Sequence, residues 1–310
     1  MTDHDPHHRA RHAIREVTAS WASGLSLADI RTSFEQFLEQ AGGPHPPAVS
    51  TRSLTIGDMP ACWFVPDRTT SDHCLLYCHG GGYQIGSIRS HASLMGRLAE
   101  ASGLRVLGFD YRLAPEHRFP AAAQDALAAY QWLLQEGERP LALIGDSAGG
   151  GLALGTAIAA RDLGLPLPKG LVLLSAWLDL SLSGESYRTL EEQDIFSKPG
   201  QLRAMARTYL GRGADITDPK ASPVFDHLAG LPPILIHAGG YDITLDDSNL
   251  LAQRARAQQV HVTLKVFEAM YHHFQVFSDL PETVQSLADI GAFLHALANG
   301  TAMQPNENAS

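Results

Sequence analysis

Apolar positions fall along this chain in two rhythms. From about residue 8 to residue 40, Ile14, Val17, Trp21, Leu27, Ile30, Phe34, Phe37 and Leu38 recur at helical spacing. That spacing predicts amphipathic helices whose apolar stripe packs on the main body. The Gly- and Pro-rich stretch 41–47, AGGPHPP, reads as a linker. Beyond it the rhythm changes to short, near-continuous apolar runs at 61–65, 74–78, 104–109, 141–144, 170–174, 234–236 and 262–267. Bounded by Gly and Pro, these runs predict strands buried on both faces. Helical segments at 90–102, 121–134, 148–163 and 247–258 alternate with them. Strand–helix alternation places the chain in the α/β class, with a mostly parallel sheet and helices on both faces.

One long interval breaks the alternation. From about 179 to 223 no strand-like run occurs, while Gly184, Pro199, Gly211, Gly213 and Pro219 punctuate helical pieces such as LRAMARTYL, 202–210. An insertion this long in a compact α/β domain predicts a lid, which the N-terminal helices are placed to join. No internal repeat is present.

Composition narrows the function classes. Hydrophobic residues make up 45% of the 310, enough for a sizeable core without disulfide or metal staples. Asp and Glu number 33 against 23 Lys and Arg, a formal charge of −10 with no basic stripe, which excludes nucleic acid and disfavours anionic membranes. The three cysteines, Cys62, Cys74 and Cys78, form no disulfide framework. Cys74 and Cys78 share one face of a strand about 13 Å apart, too far to bridge, and read as small buried hydrophobes. The polar N-terminus lacks the apolar core of a secretory signal, and no apolar stretch approaches membrane-spanning length, so a cytoplasmic protein is expected. His4, His7, His8 and His12 cluster near the N-terminus and read as a solvated segment rather than a metal site.

The chemistry concentrates where strands end. Gly145-Asp-Ser-Ala-Gly149 follows an apolar run and opens a small-residue helix. This is the setting of a nucleophile elbow, in which a sharp turn lifts the Ser147 hydroxyl above the sheet at a helix N-terminus. His79-Gly-Gly-Gly82 also ends a strand, upstream of the serine. Its backbone N–H groups, with that of Ala148, suit an oxyanion hole, and His79 reads as a residue that orders the loop. A nucleophilic serine needs a base and an orienting carboxylate, in the chain order Ser, acid, His. Asp242 is the first carboxylate after the 234–236 run, 95 residues beyond Ser147. Asp246 and Asp247 lie further on, where they fit an N-cap or first helical turn. Glu268-Ala-Met-Tyr-His-His-Phe274 follows the last strand and offers His272 or His273.

These motifs resemble the hormone-sensitive-lipase family of α/β-hydrolases, the bacterial carboxylesterases with HGGG and GDSAG. The resemblance covers about residues 62 to 293. It is carried by His79-Gly-Gly-Gly-Tyr83, Gly86-Ser87, Asp110-Tyr-Arg-Leu-Ala-Pro-Glu-His117, Phe119-Pro-Ala-Ala122 and Gly145-Asp-Ser-Ala-Gly-Gly150. It implies an α/β-hydrolase fold: an eight-stranded, mostly parallel sheet flanked by helices, with one antiparallel strand near residues 50–65 and a helical cap. The layout it implies assigns 1–45 to cap helices, 46–178 and 223–300 to the catalytic domain, 179–222 to the cap insertion and 301–310 to a tail. The family's nucleophile matches Ser147, its oxyanion donors match Gly81, Gly82 and Ala148, and its acid falls on Asp242. Ile243-Thr244 stands where the family writes Pro-Leu, which keeps Asp246 as an alternative acid. The family's Met-x-His-x-Phe pattern aligns Met270, His272 and Phe274, so His272 matches the base.

The expected function is therefore a serine carboxylesterase acting on short-to-medium acyl esters, or on lactones by the same acyl-enzyme route. The alternatives are a non-catalytic small-ligand receptor on the same fold, or an amide hydrolase. The mechanism needs no cofactor and no metal. The expected partner is a small ester or lactone, with neither nucleic acid nor membrane. The sequence carries no signal of oligomeric state, a homodimer being the commonest closed assembly.

Overall fold

The structure is a computed structural model that describes residues 5–300, so His4 and the 301–310 tail lie outside the described residues. Two helices open the chain, α1 (Pro6–Ala22) and α2 (Leu27–Gly42). Asp5 caps α1 by accepting from the His7 amide at 3.0 Å, with Pro6 at the first helical position. Helix α2 takes in the first two residues of the stretch expected as a linker.

The strands are β1 (Val49–Ile56), β2 (Met59–Pro66), β3 (His73–Cys78), β4 (Arg105–Phe109), β5 (Arg139–Asp146), β6 (Gly170–Leu174), β7 (Ile234–Gly239) and β8 (Val262–Phe267). They form one sheet in the order β1-β2-β4-β3-β5-β6-β7-β8. Strand β2 is antiparallel to both neighbours, β1 and β4, and the other adjacent pairs are parallel. The crossovers are α3 (Ile88–Ser102), α4 (Ala121–Gln135), α5 (Ala148–Asp162) and α8 (Leu245–Ala257), and α9 (Pro281–Asn299) closes the described chain. The short α6 (Ser186–Thr189) and α7 (Pro199–Leu210) occupy the strandless interval.

Two elements stand outside the expected set. Strand β1 is an edge strand, buried only at Val49 and Ile56, so it carries no apolar run to reveal it. Helix α9 does carry a helical stripe, Leu287, Ile290, Leu294 and Leu297, all buried.

The near-continuous apolar runs are explained by two cores, one on each side of the sheet. Leu143, Leu173 and Ile236 face the core containing the buried residues of α4, α5 and α8. Their neighbours Ile144, Leu174 and Leu235 face the core built with α1, α2, α3 and α9. All three cysteines are free and buried, and Cys74 and Cys78 share one core. Burial pushes the Cys74 thiol up to about 12. Among the described residues no helix is long and apolar enough to cross a membrane.

The N-terminal helices and the 179–223 interval meet above the sheet's carboxyl edge. Phe196 packs on Trp21 and Phe37, with ring centroids 6.1 Å apart in each pair. Tyr209 of α7 stacks on Tyr83 at 3.9 Å. Arg31 of α2 donates to the Gln84 carbonyl at 2.8 Å and forks onto Glu116, tying α2 to the loop after β3 and to the stretch after β4.

Candidate active site

Ser147 stands at the turn between β5 and α5 with φ 50° and ψ −123°, a conformation costly for a side-chain-bearing residue. The surroundings hold it there. Its amide donates to the Leu174 carbonyl and its carbonyl accepts from the Trp177 amide, both at 2.9 Å. A Cβ on Gly145 would lie 2.1 Å from the Gly149 oxygen, and one on Gly149 would lie 2.0 Å from the Cys78 oxygen. Only glycine at both positions lets the turn close this tightly.

His272 places Nε2 2.8 Å from Ser147 Oγ, and its Nδ1 lies 3.0 Å from both carboxylate oxygens of Asp242. Each of the three follows its own strand, β5, β7 and β8, and all are buried. Asp246, the alternative acid, points elsewhere. It accepts from the Ser186 amide at 2.8 Å and from Asn249 at 3.0 Å. Asp247 also lies in the first turn of α8, but it is buried and stitches the loop after β6, accepting from the Leu178 and Asp179 amides and the Tyr187 hydroxyl.

The family model for the α/β-hydrolase fold matches residues 75–276. An acetyl-hydrolase of Streptomyces hygroscopicus is 41% identical over 244 residues, 78% of this chain and 81% of that protein. An ethyl acetate hydrolase of Pseudomonas putida is 31% identical over 275 residues, covering 83% and 86%. The crystal structure of an esterase from the bacterial hormone-sensitive lipase family superposes with a TM-score of 0.91 at 40% identity, covering 96% of this chain and 99% of that one. The chain belongs to the hormone-sensitive-lipase family of α/β-hydrolases. It is a carboxylic ester hydrolase.

Against the family's pattern, Ile243-Thr244 has a structural consequence. Thr244 donates to Asp242 Oδ1 from both its amide and its hydroxyl, each at 2.8 Å. Burial raises the Asp242 carboxyl, but His272 and the Thr244 hydrogen bonds more than offset this, and the net direction is down. Burial pulls His272 down, and the facing Asp242 charge more than reverses it, so the net direction is up.

The loop after β3 runs alongside. Gly81 and Gly82 have φ of +118° and +60°, and their amides, with that of Ala148, donate to no protein group among the described residues. Hydrogen bonds order this loop. Ile85 N donates to Gly81 O at 3.0 Å, Gly80 N to Asp146 Oδ1 at 3.0 Å, and Tyr111 Oη to His79 O at 2.8 Å. His79 Nδ1 bonds the Gly80 carbonyl at 2.8 Å, and its ring stacks on Tyr111. Burial lowers its pKa to about 3, so it is a neutral ring within the loop's scaffold.

Ser147, His272, Gly81 and Gly82 open onto a cavity of about 310 Å³. Trp21, Ile30 and Phe34 of the N-terminal helices line it, together with Phe196, Leu202 and Met205. Sequence reasoning assigned the N-terminal stripe to packing on the main body; Ile14, Val17, Phe34, Phe37 and Leu38 lie in that core and Trp21 and Ile30 pack against it, while Trp21, Ile30 and Phe34 also line this cavity.

Asp194 was not anticipated. Its Oδ1 accepts from the Phe196 and Ser197 amides at 2.8 and 2.9 Å, and its Oδ2 accepts from the Ile243 amide at 3.0 Å. One buried carboxylate thus joins the strandless interval to the loop that carries Asp242. Burial and the Asp242 charge raise its pKa to about 6. In the sequence it ends the polar run Glu191-Glu-Gln-Asp194, which carries no periodic signal.

Proposed function

We propose that this esterase works through Ser147 as nucleophile, His272 as general base and Asp242 as the orienting carboxylate, on short-to-medium acyl esters. His272 Nε2 takes the Ser147 proton as Oγ attacks the ester carbonyl. The amides of Gly81, Gly82 and Ala148 receive the oxyanion. The imidazolium returns its proton to the departing alcohol, leaving an acyl-enzyme. Water activated by His272 then releases the acid. Lactones open by the same steps. The observation that carries this reading is the unbroken line from Asp242 through His272 to Ser147, ending at a cavity whose floor presents free amides.

The N-terminal helices and residues 179–222 act as the cap over that cavity. The aromatic contacts among Trp21, Phe37 and Phe196 support this assignment. The volume of about 310 Å³ lies at the lower end for ligand sites, which favours small acyl groups. We place the enzyme in the cytoplasm, meeting dissolved esters.

A series of p-nitrophenyl esters from acetate to palmitate, with several lactones, tests the reading. The expected kcat/KM is highest for acyl groups of about two to eight carbons, the size that a cavity at this end of the range encloses. A steady rise toward palmitate, with activation at an oil interface, contradicts it.

A further inference from the structure

Behind the proposed triad, three buried side chains from three elements converge. His91 lies on α3, Asp146 ends β5 beside Ser147, and His273 follows His272. His91 Nε2 lies 3.4 Å and His273 Nε2 3.1 Å from Asp146 Oδ2, and one ligating atom from each residue falls within 4.8 Å of the others. All three side chains are at least nine-tenths buried. His91 Nε2, His273 Nε2 and Asp146 Oδ2 have no hydrogen-bond partner among the described residues. Leaving buried polar atoms unpaired is costly, so the convergence of three needs a physical reason.

The surrounding bonds define what fits. Asp146 Oδ1 is taken by the Tyr77 hydroxyl at 2.6 Å and the Gly80 amide at 3.0 Å, which leaves Oδ2 for the site. Ser90 Oγ lies 2.9 Å from the Ser87 carbonyl and 2.8 Å from His91 Nδ1. In the tautomer that carries its proton on Nδ1, His91 aims a bare Nε2 lone pair at a carboxylate oxygen. A proton shared between His273 and Asp146 then satisfies two of the three atoms and leaves His91 Nε2 facing negative charge, whereas the other tautomer points a proton at Asp146. A divalent cation satisfies all three. At metal–ligand distances of about 2.1 Å, tetrahedral ligands sit about 3.4 Å apart and two imidazoles on one ion have centroids about 5 Å apart. The observed ring centroids are 5.4 Å apart. Two imidazoles and one carboxylate suit zinc and its neighbours rather than calcium or magnesium. The Ser90 bond to His91 Nδ1 is the outer support that such ligands use. His273 also lines the catalytic cavity, which gives an ion a way in and leaves a fourth position for water.

We propose that His91, Asp146 and His273 form a binding site for a divalent transition cation of the zinc type, whose occupancy stops ester hydrolysis. The ion serves as an inhibitor and not as a cofactor. An ion on Asp146 cancels a carboxylate charge that favours the His272 imidazolium, and so opposes proton transfer from Ser147. The effect belongs in kcat, with KM little changed.

The test uses the full-length enzyme stripped with EDTA. Zinc chloride titrated by calorimetry is expected to bind one ion per chain, to lower kcat reversibly and to raise Tm. Cobalt chloride is expected to give the visible absorption of a four-coordinate ion. His91→Phe and His273→Phe keep ring volume, and each should weaken zinc binding by at least about tenfold and abolish the cobalt spectrum. The double variant His8→Asn with His12→Asn, which removes surface histidines of α1, should keep both. Wild-type protein that gives no cobalt spectrum and no stoichiometric zinc binding overturns the proposal, whether or not the variants fold. So does inhibition of equal strength in both Phe variants, which would place the ion on His272 or on the surface.

Discussion

Replacing Asp242 by Asn tests the assignment of the acid most directly, because Thr244 dictates how the new side chain must sit. Its amide and hydroxyl both donate to the Oδ1 position at 2.8 Å. An asparagine there places its carbonyl oxygen toward Thr244 and its NH2 in the Oδ2 position, 3.0 Å from His272 Nδ1. Where that NH2 donates to Nδ1, His272 carries its proton on Nε2 and can no longer accept from Ser147. Wrong-tautomer substitutions of this kind cost about 10⁴ in kcat, or about 5.5 kcal/mol of transition-state stabilisation. Asp246→Asn, which touches Ser186 and Asn249, is expected to stay within about twofold, as surface polar changes away from the reacting groups do. Both are read from kcat on p-nitrophenyl butyrate, with thermal unfolding to verify the fold. Asp242→Asn with more than a tenth of wild-type kcat, or Asp246→Asn carrying the loss, refutes the reasoning.

Ser147→Ala should remove turnover down to the residual rate from oxyanion and binding contacts while leaving Tm unchanged, and near-wild-type turnover contradicts the nucleophile assignment. Met205, whose sulfur would meet a Cβ on Gly82 at 2.4 Å, narrows the cavity above the oxyanion loop. Met205→Ala should raise kcat/KM for octanoate relative to acetate, and an unchanged ratio removes Met205 from acyl selection. Asp194→Ala strands three amides, two of them buried, and is expected to cost about 3 kcal/mol in denaturant unfolding, with kcat falling as the Asp242 loop loosens. A loss below about 1 kcal/mol would show that those amides find water.

Much of the architecture was legible because it depends on local signals. The apolar runs ending at Cys78, Asp146 and Phe267 mark strands, and the candidate site residues follow them. Ser147 and the pair His272-His273 needed only that rule, and register within a known motif separated the pair. What escaped was set by contacts between distant segments. Strand β1 is held by pairing with β2, and its exposed face has no apolar pattern. Asp194 accepts from the Ile243 amide, 49 residues away, and no spacing rule links them. Trp21 and Phe34 obey helical periodicity, but periodicity gives only a helix face and not what that face meets. His91 reads as one more buried helical position until the fold brings it to Asp146.

The Asp194 bonds also constrain how the proposed cap can move. Phe196 packs on His272 with ring centroids 5.9 Å apart, so residues 194–197 bring the proposed cap against the triad histidine. Lifting that segment would break the Asp194–Ile243 bond and leave a buried amide unpaired beside Asp242, loosening the acid's loop while substrate entered. Helices α1 and α2 carry no such tie to the triad. Arg31 holds α2 to Gln84 and to Glu116, a contact made partly at the exposed surface. On the α1–α2 side the half-buried Trp21 and Ile30 line the cavity and make no bond to the hydrogen-bond line from Asp242 to Ser147, whereas Phe34 is held in the core, so moving those two side chains costs less than lifting 194–197. Entry past them would leave that line intact as the ester arrives.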